Sequence, residues 1–300
     1  MQLQQAEFEL LRTMVYERTG LRFEDCKLAF VQARAARRMT AVGCETARDY
    51  YRYLRYHDPA GEEFQRFVEC LTTNETYFFR EFPQLRCFAN EALPQIADAR
   101  RAANDYSLRL WSAGCSTGDE AYTLAIILRA CLDDFPRWKI HLLASDIDTQ
   151  VLETARRGAY SARAVQDVPA EYLHRYFKLH LGEYHVNDDI KQMVTFVHLN
   201  LVDRPSMRKV SMMDFIFCRN VLIYFDDASR KQVLSSFYDA LAPGGFIFLG
   251  HSESVGRISA AFEMVRLGDT ITYRRPAGKE PTSDGFKSRL AEGGELCTTK

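Results

Sequence analysis

The chain has 300 residues, 47% of them apolar and 26% charged, with a formal net charge of −1 at pH 7. That is enough apolar material for two domains with sizeable cores, and the near-neutral total excludes a chain built as a whole to bind nucleic acid. No apolar run approaches the ~20 residues that span a bilayer, and the start MQLQQAEFELL lacks the charged end and apolar core of a signal peptide.

Residues 1 to about 90 read as an all-helical domain ending in a linker helix. Leu3, Leu10, Leu11, Met14 and Val15 mark one helical face, and Cys26–Ala41 and Thr46–Tyr56 predict two more helices. Asp58-Pro59-Ala60-Gly61 breaks the pattern, and Phe64, Phe67, Val68 and Leu71 then recur at helical spacing. The helix Cys26–Ala41 carries Lys27, Arg34, Arg37 and Arg38, with no acid between Lys27 and Cys44. Arg34 and Arg38 stand one turn apart on it. Such a stripe suits an acidic helical partner; an ordinary solvated face explains it as well.

From Leu108 the pattern changes. Short apolar segments at Leu108–Ser112, Ile140–Ser145, Val194–Leu199, Phe215–Cys218 and Phe246–Leu249 alternate with helical stretches at Glu120–Asp133, Thr149–Arg157 and Ala228–Leu241. Residues 91–275 are therefore expected to form a doubly wound, Rossmann-like α/β domain. Between Tyr176 and Met193, short alternations broken by Gly182 and Asn187-Asp188-Asp189 predict a small antiparallel β-lobe inserted before the third sheet strand. Phe262–Arg274, with Gly268-Asp269 at its centre, reads as a hairpin closing the sheet edge. The polar stretch 276–300 is expected to be disordered.

The first strand runs into a turn with Gly114 and Gly118 and then a helix. Such a turn is where nucleotide-like cofactors sit, although a tight turn made for packing explains two glycines equally well. The spacing G-x-x-x-G and the absence of Gly-Lys-Ser/Thr disfavour a phosphate-gripping loop. Asp146 ends the second strand, where a carboxylate can accept ribose hydroxyls, while Asp146 or Asp148 can also cap the next helix. Asn200, Arg219-Asn220 and the turn Leu241–Gly245 complete a series of polar or glycine residues assigned to strand ends around one crevice. Glu120 opens the helix after the glycine turn and would repel a pyrophosphate. A donor with an ammonium, a sulfonium and no phosphate suits that charge, so S-adenosylmethionine is favoured over a dinucleotide. The eight cysteines form no C-x-x-C pair and no paired spacing with histidine, which points to a reducing cytoplasm without a metal site or disulfides.

These residues match a family. Over roughly residues 5 to 275 the chain resembles the bacterial chemotaxis receptor methyltransferases, the CheR family, through LTTNETYFFRE (71–81), WSAGCSTGDEAYTLA (111–125), LLASDIDTQVLETARRGAY (142–160), VHLNL (197–201), FIFCRNVLIYFD (215–226) and LAPGGFIFLGHSES (241–254). The resemblance implies methyl transfer from S-adenosylmethionine to glutamate side chains on the cytoplasmic helices of chemoreceptors. It implies that Asn74, Thr76 and Arg80 reach over the cofactor from the linker helix, that Glu120 holds its amino group and that Asp146 takes the ribose. Asn200, Leu201, Arg219 and Asn220 would surround its adenine and methionine ends, and Gly114 would let the backbone approach. Arg80 and Tyr224 match the positions beside the transferred methyl. Without the resemblance, Arg80 reads as a surface partner of Glu81 and Tyr224 as a core aromatic with a wet tip. Some relatives tether to a receptor's C-terminal peptide through the β-lobe; the short connection Leu179–Tyr184 points to a member without that tether. The chain is expected to act as a monomer, with Arg34, Arg37 and Arg38 docking the receptor and neither nucleic acid nor membrane insertion involved. A methyltransferase for another carboxylate, a non-catalytic S-adenosylmethionine-binding module and a nicotinamide-dependent oxidoreductase are the competing readings.

Overall fold

Four helices open the chain: α1 (Gln5–Thr19), α2 (Leu28–Val42), α3 (Ala47–Arg52) and α4 (Glu62–Leu71). Their limits follow local chemistry. Thr46 caps α3 by accepting the Asp49 N–H at 3.1 Å, α2 stops at Gly43 in the left-handed region, and the Asp58 carboxylate accepts the Glu63 and Phe64 N–H groups at the start of α4. The expected Thr46–Tyr56 helix continues past α3 only as a wider turn over Tyr53–His57. Phe8, Leu11, Met14 and Val15 meet Val31, Ala35, Met39, Tyr50, Phe67 and Leu71 in one apolar core. The computed structural model describes residues 5–255 and 261–278. The expectations at Leu3 and for the tail beyond residue 278 lie outside the described residues.

Helices α5 (Phe82–Cys87) and α6 (Leu93–Ala102) leave this bundle and pack on the sheet, with the Phe88 ring edge-on to Phe215, Phe217 and Phe248. The strands, in chain order, are β1 (Ser107–Ala113), β2 (Lys139–Asp146), β3 (Ala159–Tyr160), β4 (Phe177–His180) and β5 (Glu183–Val186). They continue with β6 (Val194–His198), β7 (Met213–Cys218), β8 (Leu241–Leu249), β9 (Glu263–Leu267) and β10 (Thr270–Arg274). Seven form one sheet in the order β6-β2-β1-β7-β8-β10-β9. The first five are mutually parallel, and the β9–β10 hairpin adds on antiparallel. Helices α7 (Asp119–Cys131), α8 (Thr149–Arg157) and α9 (Asp227–Ala240) supply the crossovers. Apolar side chains bury both faces of the central strands, as the continuous runs in the sequence predict.

Two expectations are corrected. Leu241–Gly245 is not a turn at the ligand crevice. Leu241 already pairs with Met213 at the amino end of β8, across an irregularity between Met213 and Phe215. A Cβ on Gly245 would lie 2.8 Å from the Met213 carbonyl oxygen, so glycine serves strand packing there. In the β-lobe the order is β3-β5-β4. Ile190–Met193 contributes no strand, because Asp188–Lys191 is a single helical turn, and Ala159–Tyr160 supplies the third strand instead. The β4–β5 turn has Leu181 at φ +49° and Gly182 at φ +83°, both positive as a two-residue hairpin turn requires. No helix among the described residues is long and apolar enough to cross a membrane.

Candidate active site

The chain runs outward from β1 through β2 to β6 on one side and from β7 to β8 on the other, so the strand order reverses between β1 and β7. At such a reversal the loops beyond the strands splay apart and leave a crevice. A cavity of about 300 Å³ opens there. Gly114 leaves β1 at φ +81°, and any Cβ would run into Val221 of the facing loop. The Gly114 and Cys115 N–H groups bond back to the Ser145 carbonyl, locking this turn to β2.

Every cofactor-binding and catalytic position expected from the sequence lines this one cavity: Asn74, Thr76 and Arg80 from the chain between the domains, Gly114 and Glu120 after β1, Asp146 at the end of β2, Asn200 and Leu201 after β6, and Arg219, Asn220 and Tyr224 after β7. The route to the first three differs from expectation. Residues 72–77 carry no regular secondary structure and form no linker helix, because α4 ends at Leu71 and its cap, Thr72, has extended dihedrals. The segment is pinned by side chains instead, with Thr72 Oγ1 and Asn74 Nδ2 donating to Asp148 Oδ2 at 2.9 and 2.8 Å. The other oxygen of Asp148 caps α8 through the Gln150 and Val151 N–H groups. Asp148 is thus the cap, and Asp146 is left to face the cavity.

The electrostatics of the floor are specific. Glu120 accepts the Ser112 hydroxyl at 2.7 Å and pairs with Arg219 at 3.3 Å. Burial pushes the Glu120 carboxyl above the ordinary range, against the pull of Arg219. Arg219, with 3% of its side chain exposed, also pairs with Glu81 at 3.5 Å and donates to the Arg80 carbonyl oxygen. Asp146 accepts the Ser116 and Asp148 N–H groups, one on each oxygen, and burial raises its carboxyl despite them. Asn200 is committed to structure on both sides, donating to the Arg18 carbonyl and accepting the Val202 N–H. The Arg80 guanidinium donates to the Glu75 carbonyl at 2.8 Å and stands over the Tyr77 ring. Glu81 pairs with Arg219, so the surface pair Arg80–Glu81 is not formed.

Two buried polar atoms in this wall have no hydrogen-bond partner among the described residues, Arg219 Nε and Asn220 Oδ1. One is a donor and the other an acceptor. Orphaned buried groups are costly unless a ligand completes them, and one with both an anionic end and N–H groups fits this pair beside Glu120 and Asp146.

Sequence reasoning missed the contribution of the helical domain to this wall. Leu21 bridges Phe225, the Arg22 N–H donates to the Tyr224 carbonyl at 3.0 Å, and Tyr16 donates to Asp226 at 2.8 Å. Leu21, Arg22 and Phe23 line the cavity. The only local signal was Gly20, at φ +72° with Val202 and Phe225 against it.

The three docking arginines do not form one free stripe. Arg37 is exposed, and Arg34 stacks on Phe30 at 3.6 Å from the ring centroid. Arg38 instead grips Glu63 with two hydrogen bonds, at 2.9 and 2.5 Å, and Tyr50 donates to the same carboxylate. Glu63 is 4% exposed, so Arg38 is committed to the bundle core.

Comparison with known proteins agrees with this architecture. The all-alpha domain of the CheR methyltransferases matches residues 6–72, and their SAM binding domain matches residues 74–295. The chain is 42% identical over 274 residues to Chemotaxis protein methyltransferase 2 of Vibrio cholerae serotype O1, covering 90% of this chain and 93% of that one. It is 36% identical over 275 residues to the Chemotaxis protein methyltransferase of Escherichia coli K12, covering 90% and 91%. The cofactor is S-adenosylmethionine, as the match of the SAM binding domain shows, and the unpartnered polar atoms of the crevice fit it. The chain belongs to the CheR methyltransferase family.

Proposed function

We propose that this enzyme esterifies glutamate side chains on the acidic cytoplasmic helices of chemotaxis receptors. It would act as a monomer in the cytoplasm and find its substrate through Arg34 and Arg37. The observation that carries the reading is the buried pair Glu120–Arg219, set in the same cavity as Asp146, Arg80 and Tyr224. Glu120 would take the ammonium of the methionine moiety and Arg219 its carboxylate. Asp146 would take the ribose, and Asn74, Thr76, Leu201 and Asn220 would close around the remainder. Asn200 would shape that wall through its bonds to Arg18 and Val202, and Gly114 would give the backbone room.

Bound S-adenosylmethionine supplies a methyl group on a positively charged sulfur. A glutamate carboxylate, with an ordinary pKa of about 4.3, is already ionised near pH 7 and needs no general base. The residues of this chain must therefore desolvate that carboxylate and aim it. Arg80, whose planar fork matches a carboxylate, would draw the acceptor oxygen in, and the Tyr224 phenol would hydrogen-bond beside it. Alignment of this kind supplies roughly 7–11 kcal/mol of a barrier when well executed. Leu179 and Leu181 stand exposed at the tip of the β4–β5 hairpin. The two-residue turn Leu181-Gly182 between β4 and β5 supports a member that works without a receptor tether, and titration with a receptor C-terminal peptide should show no binding.

The test pairs calorimetry with turnover. Wild type should bind S-adenosylhomocysteine and transfer labelled methyl groups to a receptor fragment in base-labile form. Arg80→Ala should bind the product yet lose most transfer. Full turnover in that variant, or label on an acceptor other than glutamate, refutes the assignment.

A further inference from the structure

The segment after β8, Gly250–Ser254, carries an acid that nothing above uses. Glu253 lies behind the loop Arg219–Phe225. Its Oε2 accepts the Asn220 N–H at 3.0 Å and the Gly250 N–H at 2.7 Å, while Oε1 accepts the Ile223 N–H at 3.2 Å. One carboxylate thus ties the end of β8 to two points of the loop that bears Arg219, Asn220 and Tyr224. Asn220 stands at φ +60°, where a side chain is seldom found, so an outside acceptor for its N–H is part of what holds it there. Gly250 makes the contact possible. A Cβ there would lie 2.7 Å from the Asn220 nitrogen and 2.8 Å from Glu253 Oε2.

We propose that Glu253 is a positioning residue for methyl transfer, its carboxylate holding the Arg219–Phe225 loop so that the Tyr224 hydroxyl meets the acceptor. This rests on the role given to Tyr224 above. The two ends of the loop are held unequally. Arg219 has Glu81, Glu120 and the Arg80 carbonyl as well. The Tyr224 end has backbone bonds within its own turn, the backbone bridge from Leu21 and Arg22, and the Arg230 guanidinium on the Leu222 carbonyl. None of these takes the Ile223 N–H. Losing Glu253 therefore frees the Ile223 N–H beside Tyr224 and the Asn220 N–H, while Arg219, on the cofactor side, keeps its other partners. Glutamine cannot replace it, because its amide nitrogen would oppose one of the N–H donors.

The test compares Glu253→Gln, Tyr224→Phe and the double variant for methyl transfer to a receptor fragment, with S-adenosylhomocysteine affinity measured by calorimetry. Each single change should lower kcat about tenfold or more and leave affinity within about threefold. The double variant should fall no more than about twofold below the slower single, because both changes act through one hydroxyl. Glu253→Asp keeps the charge and should recover part of the loss; it also carries the test if the glutamine variant does not fold. Wild-type kcat in Glu253→Gln, losses that multiply, or affinity that falls in step with kcat would each overturn the proposal. Full rate in Tyr224→Phe refutes the role of Tyr224 itself, whereas a slow Tyr224→Phe beside a full-rate Glu253→Gln refutes only the clamp.

Discussion

Replacing Arg38 by methionine tests how the bundle is held and which arginines are free to dock. The Glu63 carboxylate is 4% exposed and is met by Arg38 Nε and Nη2 and by the Tyr50 hydroxyl, at 2.9, 2.5 and 2.8 Å. Glu63 in turn raises the guanidinium above its already high range, and burial raises the Tyr50 phenol. Removing one partner of a buried pair costs about 3–5 kcal/mol, because the other charge is left without compensation. Arg38 keeps 19% of its side chain in solvent, so water can partly replace it, and we expect about 2–4 kcal/mol. For a domain this small, that corresponds to a drop in melting temperature on the order of 10–30 °C. Arg37→Glu, at an exposed position, should stay within about 0.5 kcal/mol of wild type. Thermal denaturation followed by circular dichroism measures both. Arg38→Met/Glu63→Met should regain part of the loss, since an apolar pair carries no orphaned charge, although the buried Tyr50 hydroxyl then loses its acceptor. An Arg38→Met protein that melts with wild type refutes the argument and returns Arg38 to the docking surface.

Three further outcomes follow from the same geometry. Arg37→Glu should slow methylation of a receptor fragment and leave S-adenosylhomocysteine affinity unchanged; an equal fall in both would remove Arg37 from docking. Gly114→Ala places a Cβ against Val221 at φ +81°, and the overpacking and backbone strain should cost about 2–4 kcal/mol in a denaturant titration and abolish product binding. Asp119 is buried with one oxygen on the Thr117 hydroxyl and the other unpartnered, and burial pushes its pKa from 3.8 up to about 6. The folded state then holds that proton more tightly than the unfolded chain, so this group costs nothing below about pH 4 and progressively destabilises as pH rises through 6. Asp119→Asn should gain on wild type between pH 4 and 7 by up to about 3 kcal/mol in urea midpoints. A difference that does not change with pH rules the burial argument out.

Some of this protein could be read along the chain and some could not. The apolar segments predict each of β1, β2, β6 and β7 closely; for the central β1 and β7 this is because a strand buried on both faces leaves a continuous run whatever its neighbours are. Glu120, Asp146 and Arg219 were legible for a related reason: each stands at or just beyond the carboxyl end of a strand, and those ends of parallel strands face one crevice. The misplacement of Leu241–Gly245 was avoidable, because a turn that precedes a parallel strand lies at the opposite edge of the sheet from one that follows it. The loss of helix over residues 72–77 was harder to see. It depends on Asp148, whose partners Thr72 and Asn74 lie more than 70 positions away.

The sequence by itself determined the two-part plan, the alternation of strands and helices in the second part, and the acids that choose a phosphate-free cationic donor, because periodicity and strand-end chemistry are local properties. Only the tertiary structure decided that Arg38 belongs to Glu63, that Leu21 and Arg22 wall the cavity, and that Glu253 holds the loop behind Tyr224. Those assignments depend on which charged group meets which across a distance in chain that no pattern records. In a low-dielectric interior the partner, not the residue, sets whether a charge stabilises the fold, binds a ligand or is left free.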